Sequence, residues 1–215
     1  MTHFFSRIRL TKAGADHRMR TISDEAYDIH EQMWDLFPGM PDEKRTFLYS
    51  VMDDGRTIYM VSEKEPIMNN YWEVESKPYD PQINTGDVFK FRTRVNPVIT
   101  KTIDGKHQRH DVVMNYKRSV KGSGMDMNNI IHASVLEWIN RKGSLNGFEV
   151  DEKSVLIHSY MRNETKKRNK KIVFSTVVVE GTLQVSDANL FKNVLFKGIG
   201  AAKGFGCGLM MIKRS

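Results

Sequence analysis

Apolar and polar residues alternate from Phe4 to Leu10, with Phe4, Ser6, Ile8 and Leu10 on one side and Phe5, Arg7 and Arg9 on the other. A period of two predicts a strand. The period lengthens between Ser23 and Phe37, where Ala26, Ile29, Met33, Leu36 and Phe37 share one face of a helix. Ser23 suits the N-cap, Asp24 and Glu25 the first turn, and Pro38-Gly39 the stop. Pro41 at a first helical position predicts a second helix over roughly 42–52. Residues 57–62, 71–75 and 87–95 then read as strands.

The second half follows a similar plan. Residues 98–103 and 112–116 read as extended. Ile131, Val135, Trp138 and Ile139 fall at helical spacing within 128–142, with Gly143 as the stop. Two β-branched strands, 154–161 and 172–185, flank a basic turn. A helix over 187–197, capped by Ser186 and closed by Gly198, leads to a last strand at 208–213. Strands and helices in this order predict an α+β protein of two tandem ferredoxin-like (RRM-like) domains with antiparallel sheets, residues 1–90 and 97–215. The halves share no obvious sequence repeat, and no low-complexity linker parts them, so close packing is expected.

Charge divides the chain differently from hydropathy. The 215 residues carry a net charge of +7, but residues 1–85 hold 10 Lys+Arg against 15 Asp+Glu, and residues 86–215 hold 23 against 11. Such asymmetry suggests that the second half faces a polyanion. Arg162 to Lys171 reads RNETKKRNKK, six cations against one glutamate, and nine further cations lie between Lys90 and Lys121. Cations facing phosphates bind in a salt-dependent, sequence-indifferent way. A solvated basic surface explains the same runs equally well. The 40% hydrophobic content fits a globular core, no apolar run reaches the ~20 residues that span a bilayer, and a single cysteine excludes an intramolecular disulfide framework. A soluble, cytoplasmic protein is expected.

Candidate chemistry concentrates on the first long helix. Tyr27, His30 and Trp34 form a stripe beside its apolar face, and Tyr27 and His30, three apart, can converge on one ligand. A histidine titrating near neutrality with a tyrosine hydroxyl beside it suffices to cleave RNA when the 2′-hydroxyl is the nucleophile. The alternative is an edge-of-core pair with polar tips in water. His107 and His110 lie three apart in a basic loop without a third ligand at recognisable spacing, and no metal or other cofactor is expected. Cys207, between glycines, reads as a small buried residue. The segment from Gly198 to Gly208, with Gly200, Gly204 and Gly206 between, either presents N–H groups to phosphate beside Lys203 or packs the last helix tightly on the last strand.

Four segments together resemble a known family: Tyr27-Asp-Ile-His30-Glu-Gln-Met-Trp34-Asp-Leu-Phe-Pro38, Phe91-Arg-Thr-Arg94-Val-Asn-Pro97, Trp138-Ile-Asn-Arg-Lys-Gly143, and the glycine-rich segment Gly198–Gly208. The chain is similar to the CasE family, the CRISPR repeat-cleaving endoribonucleases of type I-E Cascade. The resemblance implies tandem ferredoxin-like domains and metal-independent cutting of precursor CRISPR RNA at the base of the repeat stem-loop. It also implies a 5′-hydroxyl and a 2′,3′-cyclic phosphate as ends, with the protein staying on the crRNA hairpin as a Cascade subunit. The family's catalytic histidine and tyrosine fall on His30 and Tyr27. A third, cationic role falls in or near the basic turn without singling out one residue. Phosphate contacts are expected from Arg162, Lys166, Lys167, Arg168, Lys170 and Lys171 in that turn, and from Arg92, Arg94 and Lys203. Residues 101–113 match the family's pattern loosely, Thr93 replaces the more usual aliphatic residue, and the tail Lys213-Arg214-Ser215 is less apolar than the family's. The protein is expected to be monomeric outside the complex. Two other readings stand beside this one: a non-catalytic crRNA scaffold of the same fold, and a phosphate-binding metabolic enzyme using the glycine loop.

Overall fold

The structure is a computed structural model that describes residues 2–20, 25–39, 45–167 and 170–215. Its N-terminal sheet is built from β1 (His3–Leu10), β2 (Phe47–Val51), β3 (Thr57–Ser62) and β4 (Trp72–Tyr79), in the order β2-β3-β1-β4 and antiparallel throughout. Two helices, α1 (Lys12–Arg20) and α2 (Glu25–Trp34), lie between β1 and β2. Ile29, Met33, Leu36 and Phe37 are buried against Ile8, Tyr49, Ile58 and Trp72, the face that helical spacing predicts. Ser23, Asp24, Pro41 and the start of the expected second helix lie outside the described residues.

The expected helix over 42–52 is corrected by β2. Phe47, Tyr49 and Ser50 are buried alongside Leu48, which faces the opposite side into the seam between the two halves. A strand buried on both faces loses its polar alternation, so Pro41 and the acidic residues before it dominated the pattern. Residues 63–71, where a ferredoxin-like unit has its second helix, connect β3 to β4 without one.

The C-terminal sheet runs β11-β5-β10-β8, from β5 (Val88–Val95), β8 (Phe148–Val150), β10 (Lys170–Val185) and β11 (Met210–Arg214). The long β9 (Leu156–Lys167) pairs with β10, with a register shift between Thr176 and Val178. A small hairpin, β6 (Val98–Ile103) and β7 (Lys106–Asp111), leaves the end of β5. Helices α3 (Val112–Ser119), α4 (Met127–Leu145) and α5 (Ala188–Lys197) complete the half. Phe91, Val135, Trp138, Val177, Val179, Phe191 and Leu195 lie in its core. The expected extended stretch over 112–116 is corrected to the helix α3. Asp111 caps it, accepting from the Met114 amide at 2.8 Å, and the cap overrides the β-branched Val112 and Val113, which are buried. Gly143 does not stop α4, because the helix runs on to Leu145. A Cβ at Gly143 would stand 2.5 Å from the Phe148 carbonyl oxygen, so the glycine admits β8. Asp187 rather than Ser186 caps α5, accepting from the Leu190 amide at 2.9 Å.

Both sheets follow the ferredoxin-like strand order, and the molecule is two such units in tandem. Leu48, Val61 and Leu209, with Phe5, Tyr79 and Phe196 packed on them, fill the seam where the N-terminal sheet meets the second unit. Among the described residues, no helix is long and apolar enough to cross a membrane.

Candidate active site and nucleic-acid cleft

Helix α2 carries His30 beside its buried face, so the imidazole emerges partly exposed at the junction of the two units. Its ring stands edge-on to Trp34, with centroids 6.5 Å apart, and tilted against Phe205 at 6.2 Å. Phe205 belongs to a single 3-10 turn, Lys203–Phe205, inside the glycine-rich segment. The Gly204 carbonyl accepts a 2.9 Å hydrogen bond from the Tyr49 hydroxyl of β2, and burial raises that phenol's pKa. The glycine segment thereby holds the C-terminal unit against the helix that bears the histidine.

Packing is the segment's visible work. Gly208 has φ +91°, its amide donates to Arg94 O at 2.7 Å, and a Cβ there would stand 2.6 Å from the Ile199 carbonyl oxygen. Ile199 N donates to the Gly208 carbonyl at 2.9 Å, and Gly198, at φ +70°, ends α5. Gly200 and Gly206 also take positive φ. Lys203, expected at phosphate, instead donates from Nζ to the carbonyls of Lys197 and Gly198 at 2.7 and 2.9 Å, closing the C-terminus of α5. Desolvation, then the nearby Arg45, lowers its pKa.

A cleft opens beside this junction. Two adjoining hollows, of 540 and 640 Å³, share Arg162, Phe174 and Phe205 on their walls. The first continues along Asn96, Arg109, Asp111 and Tyr160; the second along Ile29, Tyr49, Asp53 and Arg94. Phe174 of β10 stacks on Phe205 with centroids 5.0 Å apart, placing an aromatic pair between the hollows.

The carboxylates of the cleft are already committed. Asp111 receives the Ser175 hydroxyl, the Tyr160 hydroxyl at 3.2 Å and the Met114 amide. Burial, then this carboxylate, pushes the Tyr160 phenol up to about 12. Asp53 pairs with Arg92 at 2.8 Å, and Glu164 with Lys171 at 2.6 Å across the β9–β10 hairpin. No ion pair engages Arg94, Arg109 or Arg162 among the described residues, and the buried Nε of Arg94 has no hydrogen-bond partner there. With Asp53 and Glu164 paired to cations, and three arginines against the one remaining carboxylate of Asp111, the cleft presents net positive charge to whatever enters.

The residues expected at the site therefore divide. Arg94 and Arg162 line the cleft, and His30 reaches it through its ring contact with Phe205. Arg92 is held by Asp53 from the N-terminal unit and Glu180 of β10, and Lys203 by the end of α5. Lys171 lies on the exposed hairpin. Tyr27 shares α2 with His30, but its side chain, like those of Lys166, Lys167, Arg168 and Lys170, lies outside the described residues. Arg45 and Tyr49 escaped sequence reasoning because 42–52 read as a helix. The run Thr46-Phe47-Leu48-Tyr49-Ser50-Val51, aromatic and β-branched, was the available sign of a strand. Cys207, fully buried, matches the expectation of a small core residue.

Tandem ferredoxin-like units around a basic, aromatic-lined cleft define a protein of the RNA-recognition type of fold. The family profile described as CRISPR associated protein matches residues 3–214. The Cascade subunit CasE of Escherichia coli K12 is 30% identical over 198 residues, covering 90% of this chain and 94% of that protein. The chain therefore belongs to the CRISPR-associated CasE family. Its fold is also that of the Thermus thermophilus endoribonuclease Cse3 bound to an RNA representing a pre-cleavage complex, with a TM-score of 0.73, 20% identity and coverage of 99% and 100% of the two chains. Escherichia coli Cas6e is similar at a TM-score of 0.68 and 23% identity, over 99% of this chain and all of that one.

Proposed function

We propose that the protein cleaves precursor CRISPR RNA at the base of the repeat stem-loop without a metal ion, and stays on the crRNA 3′ hairpin as a Cascade subunit. The carrying observation is a partly exposed imidazole, His30, whose ring meets Phe205 of the cleft wall at 6.2 Å, beside a cleft where Arg94, Arg109 and Arg162 have no ion pair among the described residues. Family membership and the chain's relatives, a Cascade subunit and an endoribonuclease bound to RNA, support the same reading.

In this mechanism the basic hairpin tip, with Arg162, Lys166, Lys167, Arg168, Lys170 and Lys171, engages phosphates of the RNA stem. An A-form major groove is too narrow for reading base edges, so this contact senses shape and charge. The stem places the scissile linkage so that its 2′-oxygen lines up with the departing 5′-oxygen. The 2′-oxygen attacks phosphorus, the bond to O5′ breaks, and the products carry a 2′,3′-cyclic phosphate and a 5′-hydroxyl. His30 moves a proton at one of these two oxygens, and Tyr27 orients the 2′-hydroxyl.

Labelled repeat RNA incubated in EDTA, beside RNA with a 2′-deoxy substitution at the cut site, tests this. Cleavage of the first and not the second is expected, and His30→Ala should slow it by roughly 10²–10⁴-fold with hairpin affinity nearly unchanged. Binding without cleavage would instead make the protein a scaffold, and parental cutting by His30→Ala would remove the histidine from the mechanism.

A further inference from the structure

Arg45, just ahead of β2, is a half-buried cation with no counter-ion among the described residues. Among the described residues no carboxylate pairs with it, and its Nε is buried without a hydrogen-bond partner. Desolvation lowers its pKa, with the Tyr49 phenol opposing. Removing a guanidinium from water without a partner is costly, so such an arginine implies an anion that completes it. Its position says where that anion sits. A Cβ at Gly204 would stand 3.3 Å from Arg45 Nη1 and 3.7 Å from His30 Cε1, so guanidinium and imidazole face each other across a bare glycine, at most about 7 Å apart. That separation suits one phosphate touched from both sides. Lys203, whose own charge is already turned to the α5 carbonyls, adds positive potential behind it.

We propose that Arg45 is a catalytic residue that donates hydrogen bonds to the non-bridging oxygens of the scissile phosphate. The inference rests on His30 acting at that phosphate, as argued above. As the 2′-oxygen bonds to phosphorus and its proton leaves, and as the bond to O5′ breaks and that oxygen gains a proton, negative charge accumulates on the two non-bridging oxygens. A fixed guanidinium fork meets that charge where it grows, and its geometry suits paired oxygens better than a lysine's point charge. The cationic role that resemblance associates with the basic turn is thereby filled from the N-terminal unit.

The test is single-turnover cleavage of the repeat hairpin in EDTA by the full chain, with Arg45→Ala, Arg45→Lys and His30→Ala, alongside binding of an uncleavable 2′-deoxy hairpin. Arg45→Ala should lose about 10²–10³-fold in rate, as for removal of a preorganised oxyanion donor, while keeping its hairpin affinity. Arg45→Lys should recover part of the rate, and millimolar guanidinium ion should accelerate Arg45→Ala but not His30→Ala. Parental cleavage by Arg45→Ala would overturn the proposal. So would rate and affinity falling together with no response to guanidinium, which marks a structural residue. If the parental chain binds and does not cut, the reading of His30 fails first; if it cuts and Arg45→Ala is indifferent, only the role of Arg45 falls.

Discussion

Burial decides what the individual side chains around the cleft can do. Cys207 is fully buried, and burial pushes its thiol up to about 12. A buried neutral thiol is inert toward electrophiles. Iodoacetamide at pH 8 should leave Cys207 unmodified in the native protein and label it only after unfolding, as read by mass spectrometry; rapid native labelling would contradict its burial. Gly204 is bare for a different reason. Its φ is not in the left-handed region, so alanine is tolerated by the backbone, but the added methyl would enter the gap between Arg45 and His30. Gly204→Ala should slow cleavage by roughly 10–100-fold through misplacement of the reacting groups, with little change in Tm. An unaffected rate would mean that the gap is not the site of reaction.

At the scale of elements, short carboxylate caps govern where strands and helices begin. Asp111, Asp126 and Asp187 each accept from backbone amides at the start of a helix. Asp54 does the same for the β2–β3 turn, accepting from the amides of Arg56 and Thr57 at 2.9 and 2.8 Å and from the Thr57 hydroxyl at 2.6 Å. The Thr57 hydroxyl first, then these amides, hold its carboxyl below the ordinary 3.8. The stabilisation is therefore whole above that value and is lost as the pH falls through the lower folded pKa. Asp54→Ala should cost about 1 kcal/mol at neutral pH, with allowance for the turn's exposure. Denaturant melts at pH 7 and in acid below 3.8 check this, and a gap between the two proteins that persists in acid would exclude the carboxylate as its source.

For the whole molecule, the two units are joined by an apolar seam and an ionic clamp. Leu48, Val61 and Leu209 form the seam. Arg92 bridges Asp53 on one unit and Glu180 on the other, with His158 Nε2 3.4 Å from Glu180. A cation spent internally releases no counterions when RNA binds. Arg92→Ala should therefore leave the slope of log affinity against log salt unchanged, whereas neutralising Lys166, Lys167 and Arg168 together should flatten it by about 2–3 units. Titration of the 2′-deoxy hairpin across salt concentrations separates them, and an unaltered slope in the triple variant would take the basic hairpin out of the interface.

Much of this protein was legible in one dimension. Periodicity determined β1, the buried face of α2 and α5, because each buries one face and keeps the other wet. The expected basic turn over Arg162–Lys171 is corrected, since Arg162–Lys167 and Lys170–Lys171 pair within β9 and β10. Charge asymmetry suggested that the second half faces a polyanion, and Tyr27, His30 and the glycine segment were among the residues that carried the family resemblance. Periodicity failed at β2, buried on both faces, and at α3, where one aspartate cap outweighs two valines. Which cations are free could only be decided in three dimensions. Arg92, Arg94 and Lys203 look equivalent along the chain, yet carboxylates from distant segments hold Arg92, the carbonyls at the end of α5 hold Lys203, and no ion pair takes Arg94 among the described residues. Arg45 lies 159 residues from Gly204 in sequence, and only the packing of one unit on the other brings that glycine against Arg45 and His30. Local chemistry is written in the order of residues; availability of charge depends on what the fold brings next to it.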